Sequence, residues 1–394
     1  VIKGAIYDII VDIRKGSSTF GKWFGVELNS YDKKMLYIPK GFAHGFLTLE
    51  DDTEIEYKCN DFYYPQYESG IMYDDKDLNV DWKLEEYRIT ELTLSEKDKK
   101  HQSFKEYTER YQGDYVLLTG ANGQLGQGFQ KLFDKLGVKY IATDYQELDI
   151  TNKKKVRKYI ENNNFTIIIN CAAYNNVDKA EEEVEKCYAL NAYAPKNLAE
   201  ICKEKNKIFV TYSTDFIFDG EKEIPYTEED IPNPLSVYSK SKLEGEKYSL
   251  KHEKSFIIRT SWVFGMGNNN FCKQVINWSK SRDTLKIVDD QVSSPTYSKD
   301  LAEFSWDLIQ TDKFGLYHFS NSGEASKYEQ AEYILKKIDW NGKLERAKTD
   351  DFPLKAKRAK YSKLDSSKIE KLLNKKIPYW KEGIDRFLEE YKNI

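Results

Sequence analysis

The sequence predicts an α/β protein: a doubly wound parallel sheet with a smaller C-terminal lobe over residues 112–394, preceded by a partial all-β domain and charged linker over residues 1–111. Three observations carry this expectation. The chain has 394 residues, more than one typical domain of about 100–200 residues. Residues 1–90 read as short apolar segments separated by turns, with no helical run between them. From Tyr115 onward, strand-like segments alternate with longer helical patterns, which specifies a parallel sheet covered on both faces.

In the first part, GAIYDIIVDIR, KMLYIPKG, GFLTLE, TEIEYKC and the aromatic cluster DFYYPQY read as strands of a sandwich or jelly roll. SEKDKKHQSFKEYTER, residues 95–110, is polar and reads as a solvated tail or linker helix. Then YVLLTG is an apolar strand, and GQLGQGFQKLFDKLG a glycine-rich turn leading into a helix. KYIATD gives a second strand, KKKVRKYIENNN a helix and FTIIINCAA a third strand. EEEVEKCYALNAYAPKNLAEICKEKN reads as one long helix, and KIFVTYSTDF as the next strand. From about Gly265, loops and Lys/Glu-rich helices suit a lobe that covers substrate.

Composition narrows the function. Hydrophobic residues make up 40% of the chain and aromatic residues 14%, enough to bury a core. The 61 Lys+Arg against 65 Asp+Glu leave a net charge of −4, without the basic excess of a nucleic-acid or polybasic membrane binder. No apolar run approaches the roughly 18–20 residues of a membrane span. Five scattered cysteines without a CxxC suit a reducing cytoplasm. The chain opens at Val1 with a strand-like run already under way.

Gly120, Asn122, Gly123, Gln124, Leu125 and Gly126 lie between the first strand and the helix of the second part. In this GxxGxxG pattern, Gly120 permits a tight turn, Gly123 close approach of backbone to a pyrophosphate, and Gly126 close packing of helix on strand. The helix N-terminus adds amide donors and a favourable dipole. This is a Rossmann-type dinucleotide turn, implying NADPH or NADH. Asp144, at the end of the next strand, suits the adenosine ribose 2′-hydroxyl and would repel a 2′-phosphate, favouring NADH or dual use. Asp149 and Ile150 fall near the adenine, or Asp149 or Thr151 begins the following helix.

Tyr238 and Lys242 are four residues apart and share a helix face. A nearby ammonium favours the phenolate and would lower the tyrosine pKa, so that Tyr238 exchanges a proton while a nicotinamide exchanges hydride. Thr214 closes a parallel strand at the edge where open α/β sheets bind ligands, and there it would hold a substrate carbonyl.

LLTGANGQLG, NCAAYNNVDKAE, LNAYAPKNLA, STDFIFDG, YTEEDIPNPLSVYSKSKLEGE, RTSWVFG and DQVSSPTYSKDLA together resemble the dTDP-4-dehydrorhamnose reductases, extended short-chain dehydrogenase/reductases, from about Tyr115 to Ile394. The resemblance implies NAD(P)H-dependent reduction of the C4 ketone of a dTDP-sugar, with Thr214, Tyr238 and Lys242 as the catalytic set. Asn170, Cys171, Ala172 and Ala173 would line the cofactor; Val177, Asp178, Trp262 and Thr296 would face the sugar nucleotide. Two departures lie around the substrate pocket: Asn175 where the family commonly has Thr, and Ser293 where it commonly has Gly. Thr214-Asp215-Phe216 lacks the Glu of a related dehydratase's Thr-Asp-Glu, which argues for simple reduction. A nucleotide-binding regulatory subunit on the same fold, and a reductase or epimerase for another nucleotide sugar, are the alternatives. Retention of Thr214, Tyr238 and Lys242 together counts against the first.

IPKGFAHGFLTLE, TEIEYKCNDFYYP and IMYDDKDLNVDWKL resemble the dTDP-4-dehydrorhamnose 3,5-epimerases, which are cupin-type enzymes. The resemblance implies Tyr57 as the acid opposite the catalytic base, His44 and Asp8 as active-site residues, and Asp98 as the carboxylate orienting the catalytic histidine. The family's GLHxQ-type histidine motif and the lysine motif after it are not in this sequence. Residue 1 aligns just past them, so epimerisation by the sequence as given is not expected. Because that segment helps build the epimerase dimer, a homodimer is left open. The scarcity of histidine excludes a metal-cupin site. Fusion to the reductase would raise the local concentration of its substrate.

Overall fold

The computed structural model describes residues 1–14, 17, 19–39, 41–59, 69–112, 115–163 and 165–392. Two compact units result, Val1–Gly113 and Asp114–Ile394.

In the first unit, β1 (Ala5–Asp12) lies between β2 (Trp23–Asn29) and β3 (Phe42–Thr48), all antiparallel. Tyr7, Ile9 and Val11 alternate along β1 and bury against Leu78 and Phe104, as the two-residue period of a strand requires. In KMLYIPKG, residues 34–39 form no strand: Met35 and Tyr37 are exposed, and these residues pair with no strand among the described residues, so β propensity went unsupported by a neighbour. TEIEYKC contributes only an isolated bridge, Glu54 to Lys3. DFYYPQY lies outside the described residues. The stretch read as a solvated tail is partly docked. It contains α1 (Phe104–Gln112), whose Phe104 is buried 5.4 Å from the Phe20 ring and donates its amide to Asp75 Oδ2 at 2.7 Å.

The second unit is built on β4 (Tyr115–Thr119), α2 (Gln124–Leu136), β5 (Lys139–Thr143), α3 (Lys153–Glu161) and β6 (Ile167–Asn170). Next come α4 (Val177–Ala180), α5 (Val184–Tyr188), α6 (Ala194–Glu204), β7 (Ile208–Thr214), α7 (Val237–Ser249) and β8 (Ser255–Thr260). The long helix expected after β6 is broken: a π turn, Ala189–Tyr193, separates α5 from α6, and Pro195 sits in the first turn of α6. Proline has no amide to donate and is tolerated there because that amide needs no helical partner.

Beyond lie β9 (Val263–Phe264), α8 (Phe271–Ser279), β10 (Thr284–Val288), β11 (Val292–Ser293), β12 (Thr296–Tyr297), α9 (Ser298–Ile309) and β13 (Gly315–His318). The unit closes with β14 (Ala325–Ser326), α10 (Lys327–Lys337), β15 (Lys343–Ala347), α11 (Ser367–Leu373) and α12 (Trp380–Lys392). Six strands form one wholly parallel sheet in the order β13-β8-β7-β6-β4-β5. Val116–Leu118 and Ile167–Ile169 are buried on both faces, the pattern a covered parallel sheet demands. Phe129 and Phe133 of α2 pack with α9 on one face; Val156, Ile160, Leu198 and Ile201 pack on the other.

The chain runs from β4 outward to β5 and then crosses to β6, so strand order reverses beside β4 and opens a crevice at the carboxyl ends of β4 and β6. The C-terminal lobe has its own core: Val275 and Ile276 of α8, Leu285 and Ile287 of β10, Ile334 of α10, and Trp380, Ile384 and Phe387 of α12. α9 and β13 leave the lobe and return to the sheet.

Candidate active site

At the crevice, Gly120 has φ +67, and a Cβ there would lie 2.5 Å from the Ala172 amide nitrogen. A Cβ on Gly126 would collide with the Gly120 carbonyl oxygen and lie 2.7 Å from Ala121 Cα. Gly123 is the N-cap of α2, which has no side-chain cap, so the first amides of that helix are left for a ligand. These cradles, which a side chain would fill, fit a dinucleotide pyrophosphate. Asp144 Oδ2 accepts from the Asn122 amide at 3.0 Å and so ties the glycine turn to the end of β5. Leu125 packs on the core, while Gln124 Nε2 reaches the Asn269 carbonyl at 3.5 Å.

Ile150 is buried in the core beneath the sheet. Asp149 folds back on Thr151, accepting from its amide at 3.0 Å and its hydroxyl at 2.6 Å; the cap of α3 is Asn152, not Asp149 or Thr151. Asn170 Oδ1 accepts from Thr119 Oγ1 at 2.7 Å, joining the ends of β4 and β6, and from the Ala172 amide at 3.3 Å. Cys171, Ala172 and Ala173 follow at the same edge, half-buried, and burial pushes the Cys171 thiol up and away from reactivity.

Thr214 ends β7, and α7 carries Tyr238 and Lys242 beside it. The N-cap Ser236 and Ser239 form a reciprocal capping box that fixes the start of α7. The Thr214 hydroxyl lies against the Tyr238 phenol and favours its ionised form. Lys242 Nζ donates to the Tyr212 carbonyl at 3.1 Å. The Tyr238 pKa shifts in the opposite direction to the one expected from a nearby ammonium. Burial pushes the phenol well above its ordinary value, against the opposing influence of Thr214. The same burial drops Lys242 to about 8. Both groups move toward their neutral forms, as desolvation dictates.

Val177, at the start of α4, packs with Tyr174 and Tyr238, so it stands beside the catalytic helix. The Asp178 carboxylate is occupied by Arg358, Nη2 to Oδ2 at 2.6 Å, and by the Lys355 and Ala356 amides at 3.1 Å. Thr296 is fully buried and donates to the Ser294 carbonyl at 3.3 Å. Trp262 follows β8 with φ +43, a strained conformation for a bulky side chain. Its indole nitrogen is buried without a hydrogen-bond partner among the described residues, and Lys327 Nζ lies 3.4 Å from its ring centroid.

Sequence reading missed several groups here. Asp215, next to Thr214, is buried and receives hydrogen bonds from Thr214 Oγ1 (3.1 Å), Ser293 Oγ (3.1 Å) and Ser362 Oγ (2.5 Å). Burial, opposed by those three donors, places its pKa at about 6. Lys327 is lowered to about 7 by burial. Asn191, inside the π turn, accepts from the Tyr174 amide and donates to the Tyr174 carbonyl and to Ser241 Oγ on α7. The partners of Asp215 meet it only in the fold, and for Lys327 and Asn191 no sequence signal existed.

In the first unit, Asp8 pairs with Phe46 in the sheet register, and His44 lies two residues from Phe46 on the same face. His44 Nε2 is accordingly 2.9 Å from Asp8 Oδ1. Tyr57 is exposed. Asp98 accepts from Ser95 Oγ at 2.7 Å in a local turn, 3.6 Å from His101 Nε2.

The first unit matches the family model dTDP-4-dehydrorhamnose 3,5-epimerase over residues 1–106. Over the second, the dTDP-4-dehydrorhamnose reductase of Aggregatibacter actinomycetemcomitans is 40% identical across 283 residues, 68% of this chain and 96% of that protein. Its counterpart in Escherichia coli K12 is 33% identical across 294 residues, covering 70% of this chain and 97% of that protein. Two crystal structures of dTDP-4-dehydrorhamnose reductases superpose on 71% of this chain and 99% of their own length. The Clostridium acetobutylicum structure has TM-score 0.69 at 40% identity; the Bacillus anthracis structure, in complex with NADP, has TM-score 0.68 at 36% identity. The RmlD substrate binding domain model matches residues 114–393, the whole sheet, crevice and lobe, and the chain belongs to that family.

Proposed function

We propose that this chain reduces the C4 ketone of dTDP-4-dehydro-L-rhamnose with NAD(P)H, giving dTDP-L-rhamnose, a precursor for cell-surface sugars. The observation that carries the reading is the grouping of Thr214, Tyr238 and Lys242 at the carboxyl edge of the parallel sheet, beside a glycine turn with uncapped helix amides. Bound NAD(P)H supplies the hydride that reaches C4. Gly120, Gly123 and the first amides of α2 would hold its pyrophosphate, and Asp144 would meet the adenosine ribose. Tyr238 donates the proton to the ketone oxygen. Burial keeps that proton on Tyr238 at working pH until the hydride arrives. Lys242, anchored on Tyr212 and mostly charged at pH 7, would hold the nicotinamide ribose. Thr214 would fix the ketone oxygen against Tyr238. Val177, Trp262 and Thr296 are the residues we assign to the sugar-nucleotide side.

The test follows NAD(P)H oxidation with the epimerised ketone. Turnover by the parent protein and its loss in Tyr238→Phe support the reading; no turnover by the parent removes it. The non-epimerised 4-keto-6-deoxy-glucose isomer probes the first unit. Rhamnose formed without added epimerase assigns epimerisation to it.

A further inference from the structure

The Asp215 carboxylate sits in a pocket of three hydroxyls. Oδ1 takes the hydrogen of Thr214 Oγ1, and Oδ2 takes those of Ser293 and Ser362. All four side chains are buried, at 6% exposure or less. Thr214 has one hydroxyl hydrogen and two lone pairs. One lone pair already accepts from the Phe216 amide at 3.1 Å; the other faces Tyr238 and is freed when Tyr238 turns its proton to the ketone. While that hydrogen points to Asp215, Thr214 has none to give a substrate. A protonated Asp215 could instead donate to Thr214 Oγ1 and turn its hydrogen outward.

We propose that Asp215 is a positioning residue for the reductase site: the proton on its carboxyl decides whether Thr214's hydrogen faces Asp215 or the substrate ketone, and Ser293 and Ser362 bias that choice. The proposal rests on the reading of Thr214 given above. Ser293 lies on β11, and Ser362 is hydrogen-bonded through its amide to Val292 of the same strand. The bias on Asp215 is therefore exerted from β11 and its neighbour onto the end of β7. A glycine at position 293 would withdraw one of the two donors to Oδ2.

Among the described residues, few charged or titratable groups act on Asp215. Lys327 of α10 favours its ionised form, and Tyr238 of α7 feels its charge. Arg358 acts on Lys327 but is itself paired with Asp178. Hydrogen bonds that favour a carboxylate lower its pKa, so removing one raises it. An anionic nucleotide sugar entering the site disfavours a second negative charge there and pushes Asp215 toward its protonated form. Ligand binding and the outward turn of the Thr214 hydrogen are thereby coupled.

The experiment is the pH profile of kcat and kcat/KM for NAD(P)H oxidation with the epimerised ketone, over pH 5–8. The parent protein is expected to show a step in kcat/KM near the Asp215 pKa of about 6, with the higher plateau on the acid side. Ser293→Ala should move that step upward by about half to one pH unit, the worth of one hydrogen bond. Ser362→Ala should move it the same way. Asp215→Asn, neutral at every pH, should abolish the step and hold the acid plateau. A Ser293→Ala profile that superimposes on the parent's overturns the proposal, as does a step that persists in Asp215→Asn. If Asp215→Asn fails to fold, the two serine variants decide alone. Thr214→Val separates the failures. If it lowers kcat while the serine variants shift nothing, only this proposal falls; if it leaves kcat unchanged, the reading of Thr214 falls as well.

Discussion

Tyr238 and Lys242 are pushed by one cause toward opposite ends of the pH scale: burial raises the phenol and lowers the ammonium. Above the Asp215 step, a second fall toward alkaline pH therefore belongs to Lys242. Activity in the free enzyme should fall as pH rises through about 8, where Lys242 loses its charge. A Lys242→Met variant, already without that charge, should be slow at every pH and show no such limb in kcat/KM. Tyr238→Phe should lower kcat by about 10²–10⁴-fold, the usual worth of a positioned acid, with KM nearly unchanged. The four-residue spacing of these two side chains was legible in the sequence. The direction of the tyrosine shift was not, because it is set by how deeply α7 is packed. Asp215 shows the same limit: its neighbour Thr214 was singled out, but Ser293 and Ser362, 78 and 147 residues away, meet it only in the fold.

Elements place these groups, and two glycines separate steric from conformational demand. Gly126→Ala puts a methyl against the Gly120 carbonyl, so we expect a loss of about 1–3 kcal/mol in stability and weaker NAD(P)H binding by titration. Gly137 ends α2 with φ +69 and open space around a would-be Cβ; Gly137→Ala should cost only about 1 kcal/mol and spare the cofactor site. α7 is anchored by Glu246, which meets Arg259 of β8 at 2.8 Å with both side chains buried. Beside them burial holds His318 neutral, at about 3. Glu246→Ala, by leaving Arg259 unpaired, should destabilise by about 3–5 kcal/mol in denaturant unfolding, whereas the double replacement Glu246→Met/Arg259→Met should recover most of it. Periodicity identified α2, α3 and four of the six sheet strands, β4 to β7, and left β8 and β13 unread. It ran α5 and α6 together because a π turn keeps helical spacing; the break rests on Asn191, whose partners lie on another helix and another loop. A Cβ on Gly245 of α7 would collide with the Asn191 carbonyl, so the two segments fit only at this spacing.

Across the whole molecule the change of hydrophobic period near Tyr115 was the most informative signal, since it reflects two different ways of burying a strand. Within the first unit the reading was weaker. Apolar runs such as KMLYIPKG look like strands, but pairing depends on a partner that sequence does not reveal. The second unit alone matches nearly the full length of its relatives, so a fragment of residues 114–394 is expected to fold and keep the parent kcat for the epimerised ketone, measured by NAD(P)H oxidation. Its last element, α12, contributes Trp380, Ile384, Phe387 and Leu388 to the lobe core, and Glu390 pairs with Lys131 of α2 and with Lys299 of α9. That placement gives synthesis on the ribosome a direction. All six strands of the large sheet have emerged once His318 is out, while the lobe still waits for its central side chains. A growing chain thus passes through a stage with every strand of its nucleotide-facing half present and its substrate-facing half open, until α11 brings Ile369 onto the sheet core and α12 ties the lobe to α2 and α9.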